Sequence, residues 1–439
     1  MSYSRKTIRS MPAAAPATRM TTYNLRWAVL LPVLLLATLP VTARAGLVLN
    51  EVVKLALKDD PAVAAARTRA SAMDDNAIAD GQLPDPKLKT GIYNLPLDDF
   101  DVNREPTTQL RVGIVQSFPR GKTLQYQQQK TKWLAHSEQA GADVTKRKLV
   151  RDVRKHFLEL YYQVQAEQVI GKTRSLFAQM VDITQAHYAN GRVSQQDVLR
   201  ASLELSRLDD RTTRIRYQAD KSRSALMKWI GNTASMPIDD TFPVLPATPA
   251  REAIDSGLMQ HPVIRIESAK LEASNRKIQI AQEQYKPGWS AGLEYRKRFG
   301  DDPAGNDRAD MMAAMVTVDL PLFTGKRQDK RLSASILQAE SRQLNRDNKL
   351  RELRQMLNTD YANWQRLGER MSLYESRLLK ESTANARASL NAYQNGVTEF
   401  TTLMRARITD LDVRLENLRV RVDRSKAQAS LLYLSGEDQ

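Results

Sequence analysis

Few residues in this chain of 439 sit at spacings that could do chemistry. Arg120-Gly121-Lys122-Thr123 has the ending of a phosphate-binding loop, in which backbone N–H groups and a lysine cradle phosphates. The first glycine of that motif is missing, because Gln116 stands in its place. The same pair returns in Gly325-Lys326-Arg327, which reads as a repeated strand-to-helix junction. Met311, Met312 and Met315 offer thioethers suited to soft cations such as copper or silver, but alternation along a strand favours packing or a lipid-facing position. His136, His156, His187 and His261 are scattered, with no pair at zinc-ligand spacing. The carboxylate pairs Asp98-Asp99 and Asp301-Asp302 lie in loops with no partnered base, so hydrolysis has no support. There is no cysteine, which excludes disulfides and thiol chemistry. These residues predict no catalytic site, no metal site and no cofactor; the chain reads as a non-enzyme.

The elements that would carry any site are duplicated. No proline occurs from Arg120 to Met236, nor from Leu322 to Gln439. Each stretch opens with Gly-Lys, at Gly121-Lys122 and Gly325-Lys326. Each carries Tyr-x-Asn-Gly, at Tyr188–Gly191 and Tyr393–Gly396, and each closes on a glycine, Gly231 and Gly436. A period of 204 or 205 residues between these landmarks means a doubled domain rather than a solenoid.

Residues 1–45 read as a cleaved signal peptide. Trp27–Val41 is uncharged and mostly apolar, Arg19 and Arg26 precede it, and Ala43-Arg44-Ala45 is a small-x-small cleavage site. Met20 is an alternative start to Met1. The six basic residues of this segment reduce the formal charge of +16 to +10 in the mature chain. There, acidic and basic residues interleave as solvated helix faces, not as a nucleic-acid stripe.

Residues 46–250 form a first repeat and 251–439 a second. Each reads as a helix (about 48–83; Glu252–Tyr285), two strands (Lys87–Leu95 and Gln109–Phe118; Trp289–Phe299 and Met311–Leu322) and a long helical hairpin. Leu110, Val112 and Ile114 alternate, as do Met312, Ala314, Val316 and Val318, giving each strand one apolar face. In the long helices Leu149, Val153, Phe157, Leu160 and Val164 step by threes and fours. So do Leu353, Leu357, Tyr361, Trp364 and Leu367, and likewise Leu411, Leu415, Leu418 and Val422; this is a coiled-coil seam.

Lengths arrange these rods. Arg120–Ala189 would span about 105 Å as a helix, while the returning arm Arg192–Gly231 covers about 60 Å. The Pro-rich linker Asn232–Ala250 ends that arm, and the next helix, about 51 Å long, makes up the difference. In the second half the chain's own first helix is expected to extend the C-terminal arm in the same way. Four strands of membrane-spanning length cannot close a barrel, and open edges cannot sit in lipid. The smallest common barrel has eight strands, twelve need three copies, and four copies are equally allowed. The helices would then line a hollow cylinder, which makes the assembly a conduit.

This duplication, element order and pair of glycine tips, Gly191-Arg192-Val193-Ser194 and Gly396-Val397-Thr398-Glu399, resemble the TolC-type outer-membrane efflux channels. The segments Gly81-Gln82-Leu83-Pro84-Asp85-Pro86, Asn94-Leu95-Pro96 and Gln116-Ser117-Phe118-Pro119-Arg120-Gly121 are similar to the CzcC/CusC-like heavy-metal branch. The resemblance implies a mainly α fold with a small β part, whose duplicated hairpins form an α-helical tunnel. Four strands per chain would enter a trimeric 12-stranded transmembrane barrel. It also implies a homotrimer in the cell outer membrane with a long periplasmic part. The partners would be a periplasmic adaptor (membrane fusion) protein and an inner-membrane pump of the RND type. The function would be that of a passive exit duct of a tripartite efflux pump, with heavy-metal cations as candidate cargo. By the same resemblance, Gly191, Val193, Ser194, Gly396, Val397 and Thr398 are docking candidates. The resemblance implies gate carboxylates six and nine residues after the second tip glycine, where this chain has Thr402 and Arg405 instead, so that aspartate ring is absent; the first tip has Asp197 and Arg200 at the same spacing. An Asp197–Arg405 contact between neighbouring hairpins is one candidate gate; the alternative reading, which a helix surface favours, is ordinary solvated charge. The other function class is a periplasmic coiled-coil adaptor or scaffold, which would need β-sandwich domains with many short strands.

Overall fold

The computed structural model describes residues 46–58 and 60–436; the signal-peptide segment lies outside them. From Gly46 on, the chain packs as one unit. The element order is α1 (Leu49–Lys58), α2 (Pro61–Asp80), β1 (Lys87–Tyr93), β2 (Gln109–Phe118), α3 (Thr123–Ala189) and α4 (Gln195–Ile230). It then runs through α5 (Arg251–Gly257), α6 (Pro262–Glu283), β3 (Gly288–Arg298), β4 (Met311–Asp319), α7 (Gln328–Leu373), α8 (Leu379–Gln394) and α9 (Phe400–Ser435). A π-helical turn, Tyr374–Leu378, joins α7 to α8.

The single helices expected over 48–83 and 252–285 are each broken in two. The apolar period runs on across Asp60-Pro61 and His261-Pro262, but both pairs start a new helix. The Asp60 carboxylate accepts from the N–H of Ala62 and Val63, and proline takes the first helical position, where no N–H is needed. His261 does the same with its ring, Nδ1 accepting from Val263 N at 3.3 Å.

The strands form one antiparallel sheet in the order β1-β2-β3-β4. Its register places Leu88, Val112, Ile114, Leu293, Val316 and Val318 on one face, and these side chains are exposed. The opposite face is polar. There Arg111 lies 3.9 Å over the Tyr93 ring, and Glu294 pairs with Arg296 at 2.6 Å. One apolar and one polar face fit a strand set with lipid on one side and water on the other.

The coiled-coil seams are the core. Leu149, Val153, Phe157 and Leu160 of α3 pack with α1, α4 and α9 in one cluster, and Ile170, Phe177 and Val181 meet α4 and α9 in a second. A third joins α5, α7 and the end of α9 through Ile254, Leu258, Leu357 and Leu431. As lengths require, α3 is accompanied by α6 along its sheet-proximal part and by α4 beyond. The expected extension of α9 by the first helix does not occur within the chain. Instead, α1 lies on α3 and α4, and α2 lies on α3. The reason is covalent: α2 leads into β1, β1 pairs with β2, and β2 continues as α3. Below the sheet the helices therefore stand in the order α2-α3-α6-α7, parallel to the order of the strands.

Candidate functional site: the paired hairpin tips

Both hairpins turn through the same backbone geometry. Gly191 has φ +68° and Gly396 φ +69°, the left-handed region that glycine enters without a Cβ penalty. Gly191 N–H donates to Tyr188 O at 2.9 Å and Arg192 N–H to His187 O at 2.9 Å. Gly396 N–H donates to Tyr393 O at 3.0 Å and Val397 N–H to Ala392 O at 2.9 Å. The asparagine before each glycine returns its side-chain amide to the helix, Asn190 to Ala186 O and Asn395 to Asn391 O. The tips thus satisfy their last carbonyls internally.

Beyond the glycines the repeats diverge. Ser194 caps α4 in a reciprocal box: its Oγ accepts from Asp197 N–H, and Asp197 Oδ2 accepts from the Ser194 N–H at 3.3 Å and Oγ–H at 2.8 Å. The corresponding residues of the second tip, Glu399 and Thr402, form no side-chain cap. Val397 projects with 79% of its surface exposed, whereas Val193 is half-buried.

The two tips lie side by side around an open groove of about 610 Å³. Val193, Ser194, Asp197 and Arg200 line it from one hairpin, Gly396 and Thr398 from the other. A second groove, about 410 Å³, continues past Arg200, Glu204, Met404 and Arg405. Of the sequence-derived candidates, Gly191, Val397 and Thr402 border neither groove. Asp197 and Arg405 line different grooves, and among the described residues of one chain no ion pair joins them. The Asp197 carboxylate is instead engaged by Ser194.

Tyr393, which in the sequence is only a landmark of the repeat, anchors the site. Its ring packs edge-on against buried Phe400 at 5.7 Å, and its buried hydroxyl has no hydrogen-bond partner. Burial, aided by the nearby Asp197 charge, raises its pKa above the usual tyrosine value. Farther from the tips, Asp410 is buried against Ser382, Thr383 and Arg414. Burial alone would raise its pKa, but these donors hold it below the usual carboxylate value. At mid-length Glu159 of α3 receives Arg419 and Lys426 of α9, tying the two repeats together. Apart from the i,i+4 pair of Asp410 with Arg414, no periodic signal marks these contacts, because each joins residues distant in sequence.

No helix among the described residues is long and apolar enough to cross a membrane. A family model described as outer membrane efflux protein matches residues 253–437, the second repeat. No curated protein matches the chain by sequence. Solved structures match across it. The outer membrane protein VceC from Vibrio cholerae is 16% identical with a TM-score of 0.74, over 88% of this chain and 96% of that one. CusC gives 16% and 0.74, over 88% and 91%. The open state of the MtrE outer membrane channel of Neisseria gonorrhoeae gives 14% and 0.73, over 88% of each chain. The second repeat thus matches the outer membrane efflux protein model, and the chain shares the fold of these solved channels along nearly its whole length.

Proposed function

We propose that this protein is the passive exit duct of a tripartite efflux pump, working as a homotrimer with its sheet in the outer membrane and its helices in the periplasm. The observation that carries the reading is the shared order of two layers, β1-β2-β3-β4 above and α2-α3-α6-α7 below. Both layers are open at the same two ends, so copies joined head to tail close both at once. An open sheet edge cannot remain in lipid. The mature chain would comprise the repeats 46–250 and 251–439.

In this reading the paired tips receive a periplasmic adaptor, and an RND-type pump in the inner membrane supplies the energy. The chain itself performs no catalysis and needs no cofactor. Asp197, Arg200, Thr402 and Arg405 lie where a constriction would form. Heavy-metal cations are the proposed cargo, on the resemblance of the helix–strand junctions to the heavy-metal branch. The adaptor alternative lacks its β-sandwich: the four long strands described here form one sheet.

The test is fractionation followed by reconstitution. A trimer extracted by detergent from outer membranes alone, conducting in planar bilayers, is the expected result. A soluble periplasmic monomer would sink the reading. Growth of a deletion strain on graded metal salts and on organic toxicants then assigns the cargo.

A further inference from the structure

We propose the register at which neighbouring copies join: β4 of one copy pairs antiparallel with β1 of the next, so that Leu322 faces Leu88, Val318 faces Ile92 and Thr317 faces Tyr93. The proposal rests on the reading that several copies close one barrel, but the register comes from the internal repeat of this chain.

Two offsets relate the repeats around the strands. Pro61 and Pro262 lie 201 positions apart, as do Pro86 and Pro287, and Gly91 and Gly292 within the strands. Past the second strand the offset is 204, from Gly121 to Gly325 and from Lys122 to Lys326. Applied to the pair Tyr93↔Gln109 of β1 and β2, these offsets give Glu294↔Ala313, which β3 and β4 do form. The strand registers therefore repeat without slip.

The pairing of β2 with β3 is the one whose counterpart is missing within a chain, since it would require β4 to meet another β1. Carried through the same offsets, Phe118↔Trp289 becomes Leu322↔Leu88, Ile114↔Leu293 becomes Val318↔Ile92, and Gly113↔Glu294 becomes Thr317↔Tyr93. Parity agrees: Leu88, Ile92 and Val318 already share the apolar face, so that face continues across the seam. A slip of one residue would turn it inside out. The seam is also where apolar exposure on the sheet is high, with Leu88 at 72%, Leu320 at 64% and Leu322 at 73%. Leu320 and Leu322 follow the end of β4, so joining the next copy would lengthen that strand. Pro321, in the place of Ser117, leaves one donor fewer near the end of the ladder.

The helical layer carries the same mapping. The contact of α3 with α6 predicts one between α7 and α2 of the next copy. Exposed Ile336, Leu337 and Leu344 on α7 and Ile78 on α2 await it. Where Glu283 accepts the Lys122 N–H, Gln82 of the next copy comes to the Lys326 N–H. Its Nε2 donates to Ile78 O, leaving the amide oxygen to accept.

The chain has no cysteine, so paired cysteines can be placed without background. Two double variants of the full-length protein, V318C with I92C and T317C with Y93C, sample both kinds of antiparallel pair. On mild oxidation in outer membranes at least one should cross-link between copies at least tenfold faster than V318C with T90C, a register shifted by two. Spin labels at the same positions give the register in any variant that does not oxidise. Faster cross-linking of the shifted pair in an intact trimer overturns the register but leaves the duct reading standing. No cross-link in any pair, with a monomer by native mass, overturns the duct reading itself.

Discussion

The carboxylate of Glu283, at the end of α6, accepts the backbone N–H of Lys122 at 2.7 Å, at the start of α3. A side chain from one repeat thus holds the junction where the other repeat passes from sheet to helix. Burial alone would raise the pKa of Glu283, but Lys286 and the Lys122 amide hold it below the usual carboxylate value. Gly121 makes the approach possible: its φ is +47°, and a Cβ there would overlap the Glu283 carboxylate. This explains the resemblance to a phosphate loop, since the anion at this turn is the protein's own carboxylate.

Gly121→Ala should lower stability by about 2 kcal/mol, from left-handed strain and the displaced cap together. Gly325→Ala should cost less, because its φ is not positive and within the chain its nearest neighbour, Asp329 Oδ2, is 3.9 Å away; any loss there would come from Gln82 of the next copy. Thermal melts of the two detergent-solubilised variants check this. Equal losses would remove the role assigned to Glu283.

His261 makes stability depend on acid. Its buried ring caps α6 through Nδ1, while Nε2 donates to Tyr433 O at 3.2 Å, so the neutral ring is required. Burial first, then the Arg147 charge, lower its pKa from 6.5 to about 4. The folded value lies below the unfolded one. Stability is therefore complete above pH 6.5, falls as pH drops from there to about 4, and then levels off. The full loss is on the order of 3 kcal/mol per chain. His261→Asn keeps a capping acceptor without the titration, so it should flatten that acid limb in melts across pH 4–7. An unchanged limb would show that other groups titrate there.

The tip glycines need their conformation, not space, for no atom lies within 4 Å of a Cβ built at Gly191 or Gly396. Alanine at either should cost about 1 kcal/mol and leave the trimer intact, with asparagine milder. Val397→Asp, on the exposed apolar tip, should abolish complementation of a deletion strain and adaptor pull-down without reducing trimer yield. Normal complementation would remove Val397 from the docking surface.

At the proposed constriction, Arg405→Ala should raise single-channel conductance or dye leakage. Asp197→Asn removes one partner of the capping box and should first appear as a loss of about 1 kcal/mol in stability. Unchanged conductance for Arg405→Ala would return Arg405 to the solvated helix face.

Sequence alone determined the elements. A three-and-four apolar step requires a helix with one buried stripe, and Leu149, Val153, Phe157 and Leu160 are buried as that stripe demands. Asn-Gly ends α3 and α8 because only a residue free of Cβ strain turns there easily. Alternation set the strands and which of their faces is apolar, since side chains on a strand point to opposite sides in turn. The splits at Asp60 and His261 come from local capping, which prevails over a continuing apolar stripe where a polar acceptor meets free N–H groups two or three residues on, and not from tertiary structure. Tertiary structure decided what no local period encodes. It laid α2 on α3 rather than on α7, because strand pairing ties α2 to that side. The Ser194–Asp197 box is local, but tertiary structure brought Glu283 to Lys122 and Glu159 to Arg419 across the repeats. Those contacts depend on which chain ends the fold brings together, and a sequence records the ends without recording their distance in space.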